Sequence, residues 1–115
     1  MGIQGCLSDM IEVAEYTDDR GRKPFSRWLQ RLDTIASERV ATALIQMEHG
    51  NLSNVRSVGR GVSEYRIHFG PGYRIYFGRD GDTLIILLGG GTKSRQHRDI
   101  ENARILWQEY RRRKQ

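Results

Sequence analysis

The side chains with chemical capacity crowd into one short stretch, VSEYRIHFGPGYRIYF, from Val62 to Phe77. Glu64, Arg66 and His68 alternate there with Tyr65, Ile67 and Phe69, and Arg74 and Tyr76 alternate with Tyr73, Ile75 and Phe77. A period of two is that of a strand, whose successive side chains leave on opposite faces. Two such strands joined through Gly70-Pro71-Gly72 make an antiparallel hairpin. A two-residue Pro71-Gly72 turn would set Phe69 opposite Arg74 and mix the faces. A three-residue loop pairs His68 with Arg74 and Arg66 with Tyr76, and keeps the apolar side chains together. The expected product is a polar face with Arg66, His68, Arg74 and Tyr76 in cross-strand reach and Glu64 at one end. Arginine stays charged and grips two oxygens of an anion at once, and histidine titrates nearest neutral pH. Such a face suits an anionic ligand with proton transfer beside it.

The neighbouring segments must hold that face in place. Leu84 to Leu88 is apolar at every position, as expected of a central strand covered on both sides. Gly89-Gly90-Gly91 then lets the backbone bend sharply or approach another group closely, and carries Lys93 and Arg95 towards the polar face. Upstream, Ile11, Val13 and Tyr16 mark a first strand within Met10 to Thr17. Pro24 opens a helix with Phe25, Trp28, Leu29 and Leu32 on one side. Asp33 or Thr34 caps a second helix that runs to about His49, with Val40, Leu44 and Met47 inward and Gly50-Asn51 as its stop. Val55 to Val58 is a candidate short strand. Ser94 caps a last helix from about Gln96 to Arg113, whose inner stripe holds Ile100, Ala103, Leu106 or Trp107, and Tyr110. Trp28 and Trp107 both fall on such apolar stripes and are read as core. The order strand, helical hairpin, antiparallel meander, C-terminal helix is that of an α+β fold with helices packed on the apolar sheet face.

At 115 residues the chain is one domain, 1–115, with 1–9 expected as a flexible leader. Lys and Arg outnumber Asp and Glu by 19 to 14, and the resulting charge of +5 favours an acidic partner, nucleic acid above all. A single cysteine, Cys6, excludes an internal disulfide and a cysteine-based zinc site and suits a reducing compartment. No run approaches the roughly 20 apolar residues of a membrane span, and no signal peptide is expected. The glycine triplet lacks the spacing of a dinucleotide fingerprint, no phosphate-loop lysine pattern occurs, and no metal or cofactor is expected.

The strings GVSEYRIHFGPGYRIYF and ILLGGGTKSRQHRDIENA, with FSRWLQRLD and VRSVGRGV upstream, resemble the phage-derived, HigB-like branch of the RelE/ParE toxin superfamily, the addiction module killer proteins. The resemblance runs from about Ile11 to Lys114. It implies a RelE-like fold and a cytoplasmic toxin held inactive by a helix-turn-helix, HigA-like antitoxin. RelE and HigB members cut mRNA on the translating ribosome without a metal, whereas ParE members poison DNA gyrase. The leading expectation is therefore a ribosome-dependent mRNA endoribonuclease. A gyrase poison and a non-catalytic basic nucleic-acid-binding module are the alternatives. Arg74 matches the arginine placed at the scissile phosphate, Arg66 and His68 match two basic positions on the preceding strand, and Lys93 falls in the basic loop, with Arg95 beside it. Ile100 stands where RelE has a catalytic tyrosine, and Tyr76 could substitute from the sheet. His68 and Glu64 compete as general base, Glu64 with the further option of orienting Arg66, and Lys93 or Tyr76 is available as the acid. Arg95, Arg111, Arg112, Arg113 and Lys114 are the expected contacts to RNA phosphates, the last four also suiting the negative end of a helix dipole.

Overall fold

The computed structural model describes residues 10–114, so the expected leader and Cys6 lie outside the described residues. Five strands form one sheet: β1 (Glu12–Glu15), β2 (Val55–Gly59), β3 (Val62–Ile67), β4 (Tyr73–Asp80) and β5 (Leu84–Thr92), in the order β1-β5-β4-β3-β2. β1 runs parallel to β5, and the other neighbours are antiparallel. Three helices complete the α+β fold: α1 (Pro24–Gln30), α2 (Thr34–Glu48) and α3 (Gln96–Lys114). Among the described residues no helix is long and apolar enough to cross a membrane.

Local chemistry sets the helix ends. Pro24 occupies the first turn of α1, where its missing N–H costs nothing. The Asp33 carboxylate accepts from the Ala36 N–H at 2.8 Å and caps α2, and Gly50, at φ +80°, takes the left-handed conformation that ends it. Lys93–Arg95 form a 3-10 turn ahead of α3, so Ser94 lies inside that turn and shares a hydrogen bond with the Thr92 hydroxyl instead of capping the helix.

The expected face segregation holds, but the helices lie on both sides of the sheet. α1 and α2 bury Phe25, Trp28, Val40 and Met47 against Tyr65, Ile75 and Phe77. α3 covers the opposite face, setting Ala103 and Trp107 on Val62, Tyr76, Ile86 and Leu88. This corrects the expectation of helices on the apolar face alone. An all-apolar β5 needs cover on both sides, and α3 supplies the second.

β5 does not bend away at its glycines but continues through them to Thr92. Their use is close approach. A Cβ on Gly90 would run into the Trp28 ring, one on Gly78 into the Trp107 ring, and one on Gly91 into the Asp99 carboxylate. Gly78→Ala is accordingly expected to destabilise the protein by about 1–3 kcal/mol through overpacking. A thermal melt checks this, and an unchanged midpoint would show that Trp107 repacks freely.

The hairpin register also differs from the expected one. β3 pairs with β4 through Ile67↔Tyr73, Arg66↔Arg74 and Glu64↔Tyr76. The loop spans 68–72, because the Phe69 N–H donates to Ile67 O and the Gly72 N–H to Phe69 O, both at 3.0 Å, closing turns that end the ladder early. Phe69 is held there by stacking on Tyr73 and by the Arg39 guanidinium 4.4 Å from its ring centre. A slip of two residues leaves every side chain on its own face, so alternation alone does not distinguish the two registers.

α3 is tied down at its far end. Tyr110 donates to Asp80 at 2.6 Å, Lys114 pairs with Asp80 at 2.5 Å, and Arg113 donates to Thr17 O at 2.7 Å. Lys114 and Tyr110 hold the Asp80 carboxyl below its ordinary pKa. Burial, with the Asp80 charge behind it, pushes the Tyr110 phenol up to about 12. A carboxyl whose folded pKa is depressed contributes stability in full above its unfolded pKa and loses it as pH falls through the folded value. Asp80→Asn is therefore expected to lower the melting temperature by a few degrees at neutral pH and to narrow that gap below the usual carboxylate range. Parallel pH–melting curves of the two proteins test it.

Candidate functional site

Glu64 is the hub of the sheet face under the start of α3. It is 0 % exposed. A buried carboxylate is tolerated only with compensation, and here three arginines from three strands supply it. Arg56 on β2 and Arg66 on β3 approach Oε2 at 3.4 and 3.3 Å, and Arg74 on β4 approaches Oε1 at 3.6 Å. Gln96, the first residue of α3, donates to Oε1 at 3.0 Å. Thus Glu64 lies at the centre of the cluster, not at one end of it.

The charge balance is uneven, with three cations on one anion. Arg74 is only 5 % exposed, and its Nη1 donates to Gly72 O at 3.3 Å. The Arg66 side chain is 34 % exposed and that of Arg56 is more open still. Glu64 Oε2 and the Nε atoms of Arg66 and Arg74 make no hydrogen bond among the described residues. The guanidiniums are therefore held on Glu64 by charge more than by well-formed hydrogen bonds. Arg56 was missed in the sequence. Its signal is an opposite charge directly across an edge pair, since Arg56 faces Glu64 in the β2–β3 register.

The other expected site residues divide. Lys93 lies beside Arg74, because the Lys93 N–H donates to the same Gly72 carbonyl at 2.9 Å. His68 is exposed in the β3–β4 loop and shares a cavity of about 270 Å³ with Arg66, Arg39 and Asn54 at the sheet edge. Tyr76 is on the expected face but 1 % exposed beneath α3, and burial, with the Glu64 charge behind it, raises its pKa. That corrects its expected place as an accessible proton donor. Ile100 packs against the α3-side core. Arg95 is exposed in the 3-10 turn.

Of the four terminal cations, Arg113 and Lys114 are engaged with Thr17 and Asp80. Arg111 and Arg112 line a cavity beside Trp107, where Arg60, at φ +57° on the β2–β3 turn, and Arg104 join them.

No protein-family model matches the chain. An uncharacterized protein of Haemophilus influenzae strain Rd is 38 % identical over 86 residues, which are 74 % of this chain and 87 % of that protein. Among solved structures, a free-state mutant of the E. coli toxin RelE matches with a TM-score of 0.60 at 11 % identity, over 84 % of this chain and 95 % of that one. This likeness shows a RelE-like fold.

Proposed function

The chain belongs to the family of that Haemophilus influenzae protein, and from its RelE-like fold and its arginine cluster we propose that it is a HigB-like toxin of a type II toxin-antitoxin module. In this reading it is a ribosome-dependent mRNA endoribonuclease that stops translation in the cytoplasm, restrained by a HigA-like helix-turn-helix antitoxin. The observation that carries the proposal is the Glu64 hub with Arg56, Arg66 and Arg74 around it, three guanidiniums preorganised on one sheet face.

Cleavage needs the ribose 2′-oxygen to attack the adjacent phosphorus while the bond to the 5′-oxygen breaks. A base takes the 2′ proton, cations hold the phosphorane charge, and an acid protonates the departing oxygen. Arg74 and Arg66 suit the second task, with Arg56 as a third cation. Glu64, ringed by guanidiniums, serves to orient them and is poorly placed to accept a substrate proton. His68, exposed beside Arg66, is the base in this scheme, and Lys93, beside Arg74, is the acid. Arg95, Arg111 and Arg112 offer phosphate contacts to ribosomal RNA. Dependence on the ribosome fits a site with few acid–base groups, because the ribosome supplies the alignment of the RNA.

The end groups of the cut RNA test the chemistry. In-line attack by the 2′-oxygen leaves a 2′,3′-cyclic phosphate and a 5′-hydroxyl. Fragments with 5′-phosphates would reject it.

A further inference from the structure

The turn Lys93–Arg95, exposed at all three residues, links β5 to α3 and is fastened at both ends to groups that hold Arg74. At its start the Lys93 N–H donates to Gly72 O at 2.9 Å, the carbonyl that also accepts from Arg74 Nη1. A Cβ on Gly72 would lie 3.4 Å from Arg74 Nη1 and 3.5 Å from Lys93 Cβ, so both side chains pass the same point of the backbone. At its end the Gln96 N–H closes the turn on Lys93 O. The Gln96 side chain donates to Glu64 Oε1 at 3.0 Å, the oxygen that Arg74 Nε approaches at 3.6 Å. Neither Lys93 nor Arg95 makes an ion pair among the described residues, so these fastenings, and not their own side chains, place the turn's cations.

The Gln96 bond is also the one hydrogen bond that the Glu64 side chain receives among the described residues. Charge attraction to the arginines has little directionality, whereas an N–H donated to one carboxylate oxygen has a preferred line. Gln96 therefore sets the orientation of the carboxylate on which the guanidiniums converge. The residue type matters for the charge as well. Three arginines on one carboxylate leave two positive charges for a phosphate. An ionised carboxylate at position 96 would cancel one of them and offer no donor, a cation would repel the guanidiniums, and asparagine would fall one methylene short. Only a long neutral donor completes Glu64 and leaves that charge intact.

We propose that Gln96 is a positioning residue of the cleavage site: its amide fixes the Glu64 carboxylate, and through it Arg74, and holds the Lys93–Arg95 turn at the phosphate-binding face. Lys93 is thereby kept in register with Arg74, so that the proton donor and the principal phosphate cation meet the same phosphate. This role rests on the nuclease reading, but the fastening itself does not.

Two variants of the full chain separate the parts. Gln96→Asn keeps the amide and loses the reach, and Gln96→Glu keeps the reach and loses the donor. In NMR hydrogen exchange, the Lys93 N–H and the Arg74 Nε–H should exchange at least about tenfold faster in both than in wild type, the scale of one hydrogen bond to a charged group, with melting temperatures within a few degrees. Turnover on the ribosome should fall by about 10–100-fold, as for a small misplacement of reacting groups, with ribosome binding unchanged. Ser94→Ala, in the same turn, loses only the bond to the Thr92 hydroxyl and should leave both readouts as in wild type. Wild-type exchange in both Gln96 variants, or faster exchange with undiminished turnover, would overturn the positioning role. Equal losses in Ser94→Ala would also overturn it, since the turn as a whole and not Gln96 would then be at work. Faster exchange in Gln96 variants of a protein that cuts no mRNA would keep the fastening and reject the nuclease.

Discussion

Arg74→Ala is expected to lower mRNA cleavage by about 10²–10³-fold, the usual loss when one preorganised donor to a transition-state charge is removed. Arg74 is nearly buried, fixed to Gly72 O and paired with Glu64, so its guanidinium is already oriented before a phosphate arrives. The effect should fall on turnover more than on ribosome binding, because the exposed cations Arg56, Arg111 and Arg112 remain. Arg74→Lys separates charge from geometry. Lysine keeps the charge but not the planar fork, and should recover only a small part of the activity. Cleavage rates and ribosome co-sedimentation of the three proteins measure this. Full activity in Arg74→Lys would show that a point charge suffices.

Glu64→Gln should act chiefly on stability. Removing one partner of a buried ion pair leaves the other charge uncompensated, at a cost of about 3–5 kcal/mol. A small domain has about 5–15 kcal/mol in all, so the variant should melt far below the wild type. Two of the three arginines reach solvent, which moderates the penalty on them, whereas Arg74 bears it in full. An anion that occupies the cluster can replace the missing carboxylate. Sulfate or phosphate should therefore raise the melting temperature of Glu64→Gln more than that of the wild type. Equal shifts would mean that the cluster is not the anion site. The variant should also cut poorly when folded, since the three guanidiniums lose their common anchor.

Much of this was legible in the residues. The alternation in β3 and β4 assigns each side chain its face, Pro24 and Asp33 start helices where their chemistry requires, and the stripes holding Trp28 and Trp107 are core. The central features of the site were not, for physical reasons. A two-residue slip preserves both faces, so the sequence pattern is compatible with either hairpin register. Only the turn at Phe69 and Gly72, held by Arg39 and Tyr73, selects the observed one. The centrality of Glu64 depends on that register and on β2 bringing Arg56 opposite it. Tyr76 reads as accessible because nothing local says that α3 crosses above it. The all-apolar β5 was the available signal that both faces are covered. Arg113 and Lys114 look like their neighbours Arg111 and Arg112, yet helical spacing turns the first two onto Thr17 and Asp80.

The most direct measurement adds wild-type and Arg74→Ala protein to a translating extract and maps the 5′ ends of a reporter mRNA with and without ribosomes. New ends that require both ribosomes and Arg74 are the predicted result. Intact mRNA with continued translation, or equal cutting by both proteins, would contradict the assignment of a ribosome-dependent nuclease centred on Arg74.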